Sequence, residues 1–175
     1  LSNCQPPISS RVYSEDGKLI AEYALEKRLF VPFDSIPTTV INSFLSAEDK
    51  NFFNHPGIDA KGILRALINN IKNISQNKRL EGASTITQQV AKNFLLTNEV
   101  SIKRKIKEAI LAFRIERALS KERILELYLN QIYLGSGAYG VAAASLEYFD
   151  KSIRDLNYSE AALLAALPKA PSRYN

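Results

Sequence analysis

The chain has 175 residues, of which 46% are hydrophobic, and a net charge of +5 at neutral pH. This length and apolar content fit one compact domain that buries its own core. The single cysteine, Cys4, excludes an internal disulfide, and no run of about 18 apolar residues exists that would span a bilayer. The charge favours an anionic partner, and phosphate, a lipid surface and nucleic acid all stay open.

The first predicted elements are a β-hairpin and a helix. Apolar segments at residues 11–14 and 19–23 flank residues 15–18, whose Asp-Gly pair is a hairpin signal. An extended segment then ends at Pro32. Apolar residues in 40–45 recur with the spacing of an amphipathic helix.

The segment 46–57 ends that helix with two adjacent carboxylates, Glu48 and Asp49, and a His-Pro-Gly turn. Pro56 fixes its own φ and Gly57 tolerates a positive φ, so the helix stops and a carboxylate is held at a protected edge. This arrangement predicts a catalytic cleft. The alternative is a helix terminus whose acids face solvent, as most acids do.

A second helix is predicted to begin after Asp59, which is a suitable N-cap. Residues 72–79 are rich in Asn, Gln, Ser and Lys, which predicts a mobile surface loop. The apolar residues on one side of this helix are Ile63, Leu64, Leu67, Ile68, Ile71 and Ile74.

The segment 81–93 supports two interpretations. Thr85 and Gln88 have the spacing of a capping box, which would explain both residues without a ligand. The helix start also follows a small turn containing Gly82, and such a start is an anion site. Gln89 and Lys92 would share one face, where an amide and an ammonium could hold a sugar and a phosphate.

The helix predicted over 101–116 carries a third candidate site. Arg104 and Lys105 lie four and three residues before Glu108, so this carboxylate is expected to be an electrostatic partner rather than a proton donor. The alternative is a solvated helix with ordinary ion pairs. The stripe expected to be buried is Ile102, Ile106, Ala109, Ile110 and Phe113.

The remaining chain predicts more helix. Ser120 is a suitable N-cap for residues 121–134, small residues fill 139–145, and an apolar helix over 159–167 stops at Pro168. The expected fold is mainly α with a small N-terminal β element, in a single domain. Its β-rich opening spans 1–33 and its helical body 34–175.

Five ordered motifs together resemble the peptidoglycan glycosyltransferase family, glycosyltransferase family 51. Residues 16–23 further resemble the start of this domain in bifunctional class A penicillin-binding proteins of the 1A type. One departure is Ala83, where many members have a second glycine. The five motifs lie at residues 48–57, 82–89, 104–108, 121–130 and 160–172.

The resemblance implies a lysozyme-like, mainly α domain at the outer, periplasmic face of the bacterial cytoplasmic membrane. A transmembrane anchor and any transpeptidase domain are expected outside these residues. The implied activity is the polymerisation of lipid II into β-1,4 glycan strands with inversion. The implied partners are lipid II, the growing lipid-linked strand, the membrane surface and a cell-wall synthesis complex, with no nucleic acid.

The resemblance also implies residue roles. Glu48 would be the general base, and Glu108 would act at the pyrophosphate with the neighbouring cations. No obligatory cofactor is indicated, and a divalent cation, Mg²⁺ or Mn²⁺, at Glu108 stays open. Expected substrate contacts are Asp49, Ser84, Thr85, Gln88, Gln89, Lys92, Arg104, Lys105 and Asn130, and expected structural supports are His55, Gly57 and Gly82.

The sequence also supports expectations for His55 and three aromatic residues, and it leaves two rival functions open. His55 is expected to shape the turn through a backbone hydrogen bond and to fix Glu48, rather than to transfer a proton. Phe52, Phe53 and Tyr128 are expected in the core. The rival functions are a glycan-cleaving muramidase or lytic transglycosylase, and a non-enzymatic basic module that binds nucleic acid.

Overall fold

The computed structural model describes residues 10–13, 19–23, 27–76, 78, 82–95 and 101–169. Two compact units divide the chain: the first comprises 1–47 and 126–175, and the second comprises 48–125. Helix dominates the described residues and the strands are short, which confirms the predicted mainly α fold with a small β element.

Seven helices lie within the described ranges. They are α1 (Thr38–Glu48), α2 (Ala60–Ser75), α3 (Ile86–Leu95), α4 (Ile102–Ala118), α5 (Lys121–Gln131), α6 (Val141–Phe149) and α7 (Tyr158–Ala166). The strands are β1 (Ser10–Tyr13), β2 (Leu19–Tyr23), β3 (Lys27–Arg28) and β4 (Ala138–Tyr139).

The strands of the first unit form two small pairs. β1 and β2 are antiparallel, with Ser10 opposite Tyr23, which confirms the predicted hairpin strands. The turn predicted at 15–18 lies outside the described residues. β3 and β4 are parallel and bring Arg28 beside Tyr139, where its guanidinium lies 4.2 Å from the ring centroid.

The core of the first unit is built around Phe44 of α1 and Tyr128 of α5. Their rings meet edge to face with centroids 6.2 Å apart, and both side chains are fully buried. Such aromatic pairs contribute specific geometry as well as apolar burial. The predicted core position of Tyr128 is thereby confirmed.

In the second unit, Asp59 caps α2 as predicted, because its Oδ1 accepts the backbone N–H of Gly62 at 2.9 Å. The loop predicted from residue 72 is wrong at its start, since α2 continues through Ser75. Lys72 in the last turn suits the helix dipole, and the hydroxyl of Ser75 donates to the carbonyl of Lys72 at 2.8 Å. These two effects outweigh the polar composition.

The stripe predicted to be buried on α4 is exposed. Ile102 is 83% exposed, whereas the buried residues of this helix include Glu108 and Ala112. The reason is a close approach: the backbone of Ala112 lies so near Gly57 that a Cβ on this glycine would be 3.0 Å away. A large side chain at position 112 would therefore have no room against this turn, whereas Glu108 and Ile115 are buried elsewhere on the same helix. The other exposed members are Ile106, Ile110 and Phe113.

α2 likewise buries small residues, Gly62 and Ala66. Its exposed side carries Leu64, Leu67, Ile68, Ile71 and Ile74. Large apolar side chains in a row on a surface mark a binding face rather than a solvated one. Within the described ranges, no helix combines the length and apolarity needed to cross a membrane.

Candidate active site

Glu48 is the last residue of α1 and is half-buried. Its Oε2 atom accepts a hydrogen bond of 2.8 Å from the side-chain amide of Gln89 on α3. Its Oε1 atom is buried and has no hydrogen-bond partner among the described residues. Buried polar atoms are normally hydrogen-bonded, and a carboxylate oxygen without a protein donor has the lone pair needed to accept a proton from a substrate.

Asp49 ties the end of α1 to the start of α3. Both of its carboxylate oxygens lie 3.0 Å from Nε2 of His55, and Oδ2 also accepts the backbone N–H of Ile86 at 3.1 Å. Ile86 is the first residue of α3, so the carboxylate lies at the positive end of the helix dipole. The Asp49 side chain is buried and engaged within the protein.

His55 takes one tautomer in this arrangement. The backbone N–H of Gly57 donates to His55 Nδ1 at 3.1 Å, so Nδ1 carries a lone pair and the ring hydrogen is on Nε2, facing Asp49. This confirms the predicted backbone contact, although the carboxylate that His55 holds is Asp49 rather than Glu48. The imidazole therefore acts as a fixed brace.

Two phenylalanines follow Asp49 and differ in burial. Phe52 is fully buried and its ring meets that of His55 edge to face at 6.2 Å, which confirms its predicted core position. Phe53 is 52% exposed, so the core position predicted for it is wrong. The short 3₁₀ turn Phe52–Asn54 turns successive side chains in different directions, and only one of them reaches the core.

The two glycines predicted as supports also differ. Gly57 has φ of +100° and lies against the backbone of Ala112, so both its conformation and its space require glycine. Among the described residues, no atom lies within 4 Å of the position that a Cβ on Gly82 would take. The need for glycine is therefore evident at Gly57, and the supporting role of Gly82 stays a prediction.

Thr85 and Gln88 form the predicted capping box. The backbone N–H of Thr85 donates to Gln88 Oε1 at 3.0 Å, and that of Gln88 donates to Thr85 Oγ1 at 3.2 Å. The hydroxyl of Thr85 also donates to the carbonyl of Gly57 at 2.6 Å. Both side chains are buried, so these hydrogen bonds serve the protein itself.

The anion predicted at the start of α3 is supplied by the chain. The carboxylate of Asp49 accepts the backbone N–H of Ile86, and the hydroxyl of Thr85 accepts the backbone N–H of Gln88. Both amides therefore have partners within the protein. A helix start favours negative charge whatever its source. Because these two amides are bonded within the protein, a substrate contact at this helix start stays a prediction.

Glu108 forms ion pairs with both cations predicted beside it, Arg104 and Lys105. It is 2% exposed, and its Oε2 accepts from Arg104 Nη1 at 3.4 Å while its Oε1 is paired with Lys105. Lys105 also donates to Ser84 Oγ at 2.8 Å. The cluster has two cations for one carboxylate, and about half of the Lys105 side chain is exposed, which suits a phosphate ligand.

Lys92 and Asn130 are the remaining predicted contacts. Lys92 is exposed further along α3 than Gln89. Asn130 belongs to the first unit, where its side chain accepts from the backbone N–H of Val31 at 2.7 Å and donates to the carbonyl of Val31 at 2.9 Å. Asn130 therefore holds an extended segment of its own unit.

Comparison with known proteins identifies the family of this chain. The family model described as Transglycosylase matches residues 16–175. The chain belongs to the transglycosylase family. Its relatives include "Penicillin-binding protein 1A" of Rickettsia felis, 62% identical over all of this chain and 22% of the relative, and that of Aquifex aeolicus, 53% identical over all of this chain and 24% of the relative.

A crystal structure of penicillin-binding protein 1A from Haemophilus influenzae also resembles this transglycosylase domain. It is 27% identical, with a TM-score of 0.46, over 98% of this chain and 16% of that one. The transglycosylase chain thus spans less than a quarter of the length of these relatives.

Whether Glu108 of this transglycosylase could bind a divalent cation depends on the ligand atoms around it. Both oxygens of Glu108 are bound to Arg104 and Lys105 rather than placed beside further carboxylates. In the part of the chain that the structure describes, no group of three His, Cys, Asp or Glu could hold a metal ion. Hard divalent cations prefer several oxygen ligands, so these residues do not fit a protein-held Mg²⁺ or Mn²⁺.

A polar network of this transglycosylase joins residues that no sequence pattern brings together. Glu116 of α4 accepts from Thr87 Oγ1 at 2.5 Å and from Lys121 Nζ at 2.8 Å. Residues so far apart in sequence give no periodic signal. One local signal exists: Lys121 is the first residue of α5, where the helix dipole disfavours a cation unless other groups bind it.

Proposed function

We propose that this chain is a peptidoglycan glycosyltransferase domain that polymerises lipid II into β-1,4 glycan strands with inversion, releasing polyprenyl pyrophosphate. The observation that carries the proposal is the state of Glu48, with one oxygen held by Gln89 and the other uncommitted. The same unit contains the cationic cluster around Glu108. Membership of the transglycosylase family supports this reaction class.

In the proposed reaction Glu48 is the general base. The 4-hydroxyl oxygen of the incoming lipid II bonds to the anomeric carbon of the growing chain, and its proton goes to the carboxylate of Glu48. The bond between that carbon and the pyrophosphate breaks, and the pyrophosphate leaves with the electron pair. Attack on the face opposite the leaving group inverts the configuration.

The leaving pyrophosphate is proposed to bind at Lys105 and Arg104. Fixed cations at the position where negative charge develops lower the barrier because they need no reorganisation during the reaction. A carboxylate cannot itself stabilise a leaving anion, so Glu108 orients the two cations. The hydroxyl of Ser84 fixes the ammonium of Lys105 from the other side.

Polymerisation of lipid II in detergent, with products resolved by length, tests the proposal. Long strands are expected from the parent chain and none from Glu48→Gln, which keeps the shape of the side chain but cannot accept the proton. Glu122→Gln is the matched control, because Glu122 is an exposed glutamate of the same unit. Polymer from Glu48→Gln would contradict the assignment of the base.

Other products would identify the rival functions. Release of short muropeptides from glycan by a folded parent chain would indicate a lytic enzyme. Salt-dependent nucleic-acid binding without turnover, unaffected by Glu48→Gln, would indicate a basic binding module.

We further propose that the second unit meets the outer face of the cytoplasmic membrane through α2 and α4. Both helices expose most of their large apolar side chains, with Ile71 of α2 71% exposed and Ile102 of α4 83% exposed. Exposed cations flank the stripe of α4 at positions such as Lys103, Lys107 and Arg114. This combination suits insertion into an anionic lipid interface, where a polyprenyl-linked substrate resides.

A further inference from the structure

Lys121 makes contacts that a surface lysine would not make. Its Nζ donates to the backbone carbonyl of His55 at 2.7 Å and to Glu116 Oε1 at 2.8 Å, and it lies 4.4 Å from the ring centroid of Phe52. Only 18% of its side chain is exposed. These contacts offset both the loss of hydration and the unfavourable position at the start of α5.

Glu116 is the second half of this pair. Its side chain is 9% exposed, and one oxygen, Oε1, accepts from both Lys121 and the hydroxyl of Thr87. Thr87 is on α3 and Lys121 on α5, while Glu116 itself is on α4. One buried carboxylate oxygen therefore joins three helices of the second unit.

Two chains of contacts lead from the pair to the proposed base. In the first, Lys121 donates to the carbonyl of His55, and the imidazole of His55 donates to Asp49, the residue that follows Glu48. In the second, Glu116 accepts from the hydroxyl of Thr87, which precedes Gln89 by two residues on α3. Gln89 in turn donates to the carboxylate of Glu48.

We infer that Lys121 and Glu116 are positioning residues that set the contact between Gln89 and Glu48, an inference that rests on the proposed role of Glu48. Neither residue of the pair contacts Glu48, so both act through the His55 turn and α3. Without the pair, these two segments can shift independently. A displacement of about 1 Å in a reacting group is enough to lower a rate about 100-fold.

Single substitutions test the pair in the lipid II polymerisation assay. For Lys121→Met and Glu116→Gln, kcat is expected to fall about 10- to 100-fold while KM for lipid II stays within about twofold. Lys121→Arg is expected to recover part of the loss, since a guanidinium can donate to both oxygens. Lys151→Met, at an exposed lysine of the first unit, is the matched control and is expected to leave kcat unchanged.

The double variant Lys121→Met/Glu116→Gln separates a pair that acts as a unit from two independent structural roles. Its loss of kcat is expected to be close to that of the worse single variant, because residues acting together are not additive. Losses that multiply, or a rise in KM at unchanged kcat, would overturn the inference.

The side-chain amide of Gln89 provides an NMR readout that does not need turnover. In folded Lys121→Met, its resonances are expected to shift toward those of Glu48→Ala, which lacks the acceptor. Unchanged resonances would overturn the positioning inference even if polymer forms. If the parent makes no polymer but the resonances shift as expected, the positioning inference stands and the proposed function fails.

Discussion

The imidazole of His55 donates its Nε2 hydrogen to the buried carboxylate of Asp49, with both carboxylate oxygens 3.0 Å away. The opposite ring nitrogen accepts the backbone N–H of Gly57. The only histidine of the sequence is thus held from both sides as a neutral brace between the end of α1 and the turn that follows it.

Removing this brace is expected to reduce both stability and activity. In His55→Ala, Asp49 keeps only the amide of Ile86 as a donor, and a buried carboxylate that loses a partner costs about 1–3 kcal/mol of unfolding free energy. Urea denaturation and the polymerisation rate are the measurements. Asp49→Asn, which removes the buried charge and keeps the shape, is expected to cost less. Parent-like stability in His55→Ala would show that the brace is dispensable.

Gly57→Ala is expected to destabilise the fold. The substitution forces an alanine into φ of +100° and places a Cβ 3.0 Å from the backbone of Ala112. Such strain costs about 1–3 kcal/mol. The matched control is Gly82→Ala, where no atom of the described residues lies within 4 Å of the new Cβ, so its unfolding free energy is expected to stay within about 1 kcal/mol of the parent value. Equal effects at the two positions would contradict the distinction.

Asp59 predicts a pH dependence of stability. The backbone N–H of Gly62, assisted by the side chain of Asn51, lowers the pKa of Asp59 below its ordinary value. A lowered pKa in the folded state means that the unfolded chain binds the proton more readily. The stabilisation is therefore present above about pH 4, the unfolded value, and is lost as the pH falls through the lower folded value.

Urea denaturation at neutral pH and at about pH 3 checks this dependence. Asp59→Ala is expected to lose about 0.5–2 kcal/mol at neutral pH, because the N-cap of α2 is removed. Asp59→Asn keeps an uncharged cap, so it is expected to retain most of the stability and to show a flatter acid dependence than the parent. An identical acid dependence in both proteins would assign that dependence to other groups.

Glu108→Gln is expected to lower the polymerisation rate by about 10- to 100-fold through the loss of oriented cations. The amide no longer pairs with Arg104 or Lys105 as an ion, so the two positive charges repel each other and separate. Single-turnover rates measure the effect, with Glu122→Gln as the control. A larger loss of rate in Ser84→Ala than in Glu108→Gln would show that Ser84, not the buried carboxylate, places Lys105.

The apolar face of α2 predicts lipid binding. The parent chain is expected to float with vesicles that contain anionic lipid, and the double variant Ile71→Ser/Ile74→Ser is expected to bind several-fold less because two exposed apolar side chains are lost. Leu163→Ser on α7 is the control, since this exposed leucine lies in the other unit. Equal flotation of all three proteins would exclude α2 as the binding face.

Sequence alone determined the features that depend on near neighbours. The caps at Asp59 and Ser120, the strands of the hairpin and the pairing of Glu108 with two cations all follow from spacings of a few residues. Such contacts form wherever the local helix or turn forms, so their spacing is sufficient to predict them. Glu48 could also be predicted as a candidate general base from the sequence, because the His-Pro-Gly turn that follows it is only a few residues away.

Tertiary structure alone decided which faces are buried and which distant groups meet. The isoleucines of α4 have the spacing expected of a buried helix face, yet they are exposed. The opposite face is buried instead, because the backbone of Ala112 packs closely against Gly57. Asp49 reaches the start of α3 across 37 residues, and Lys121 reaches the carbonyl of His55 across 66. Periodicity shows that a helix has an apolar face and a polar face. Which of the two faces is buried depends on neighbouring segments that only the folded chain brings into contact.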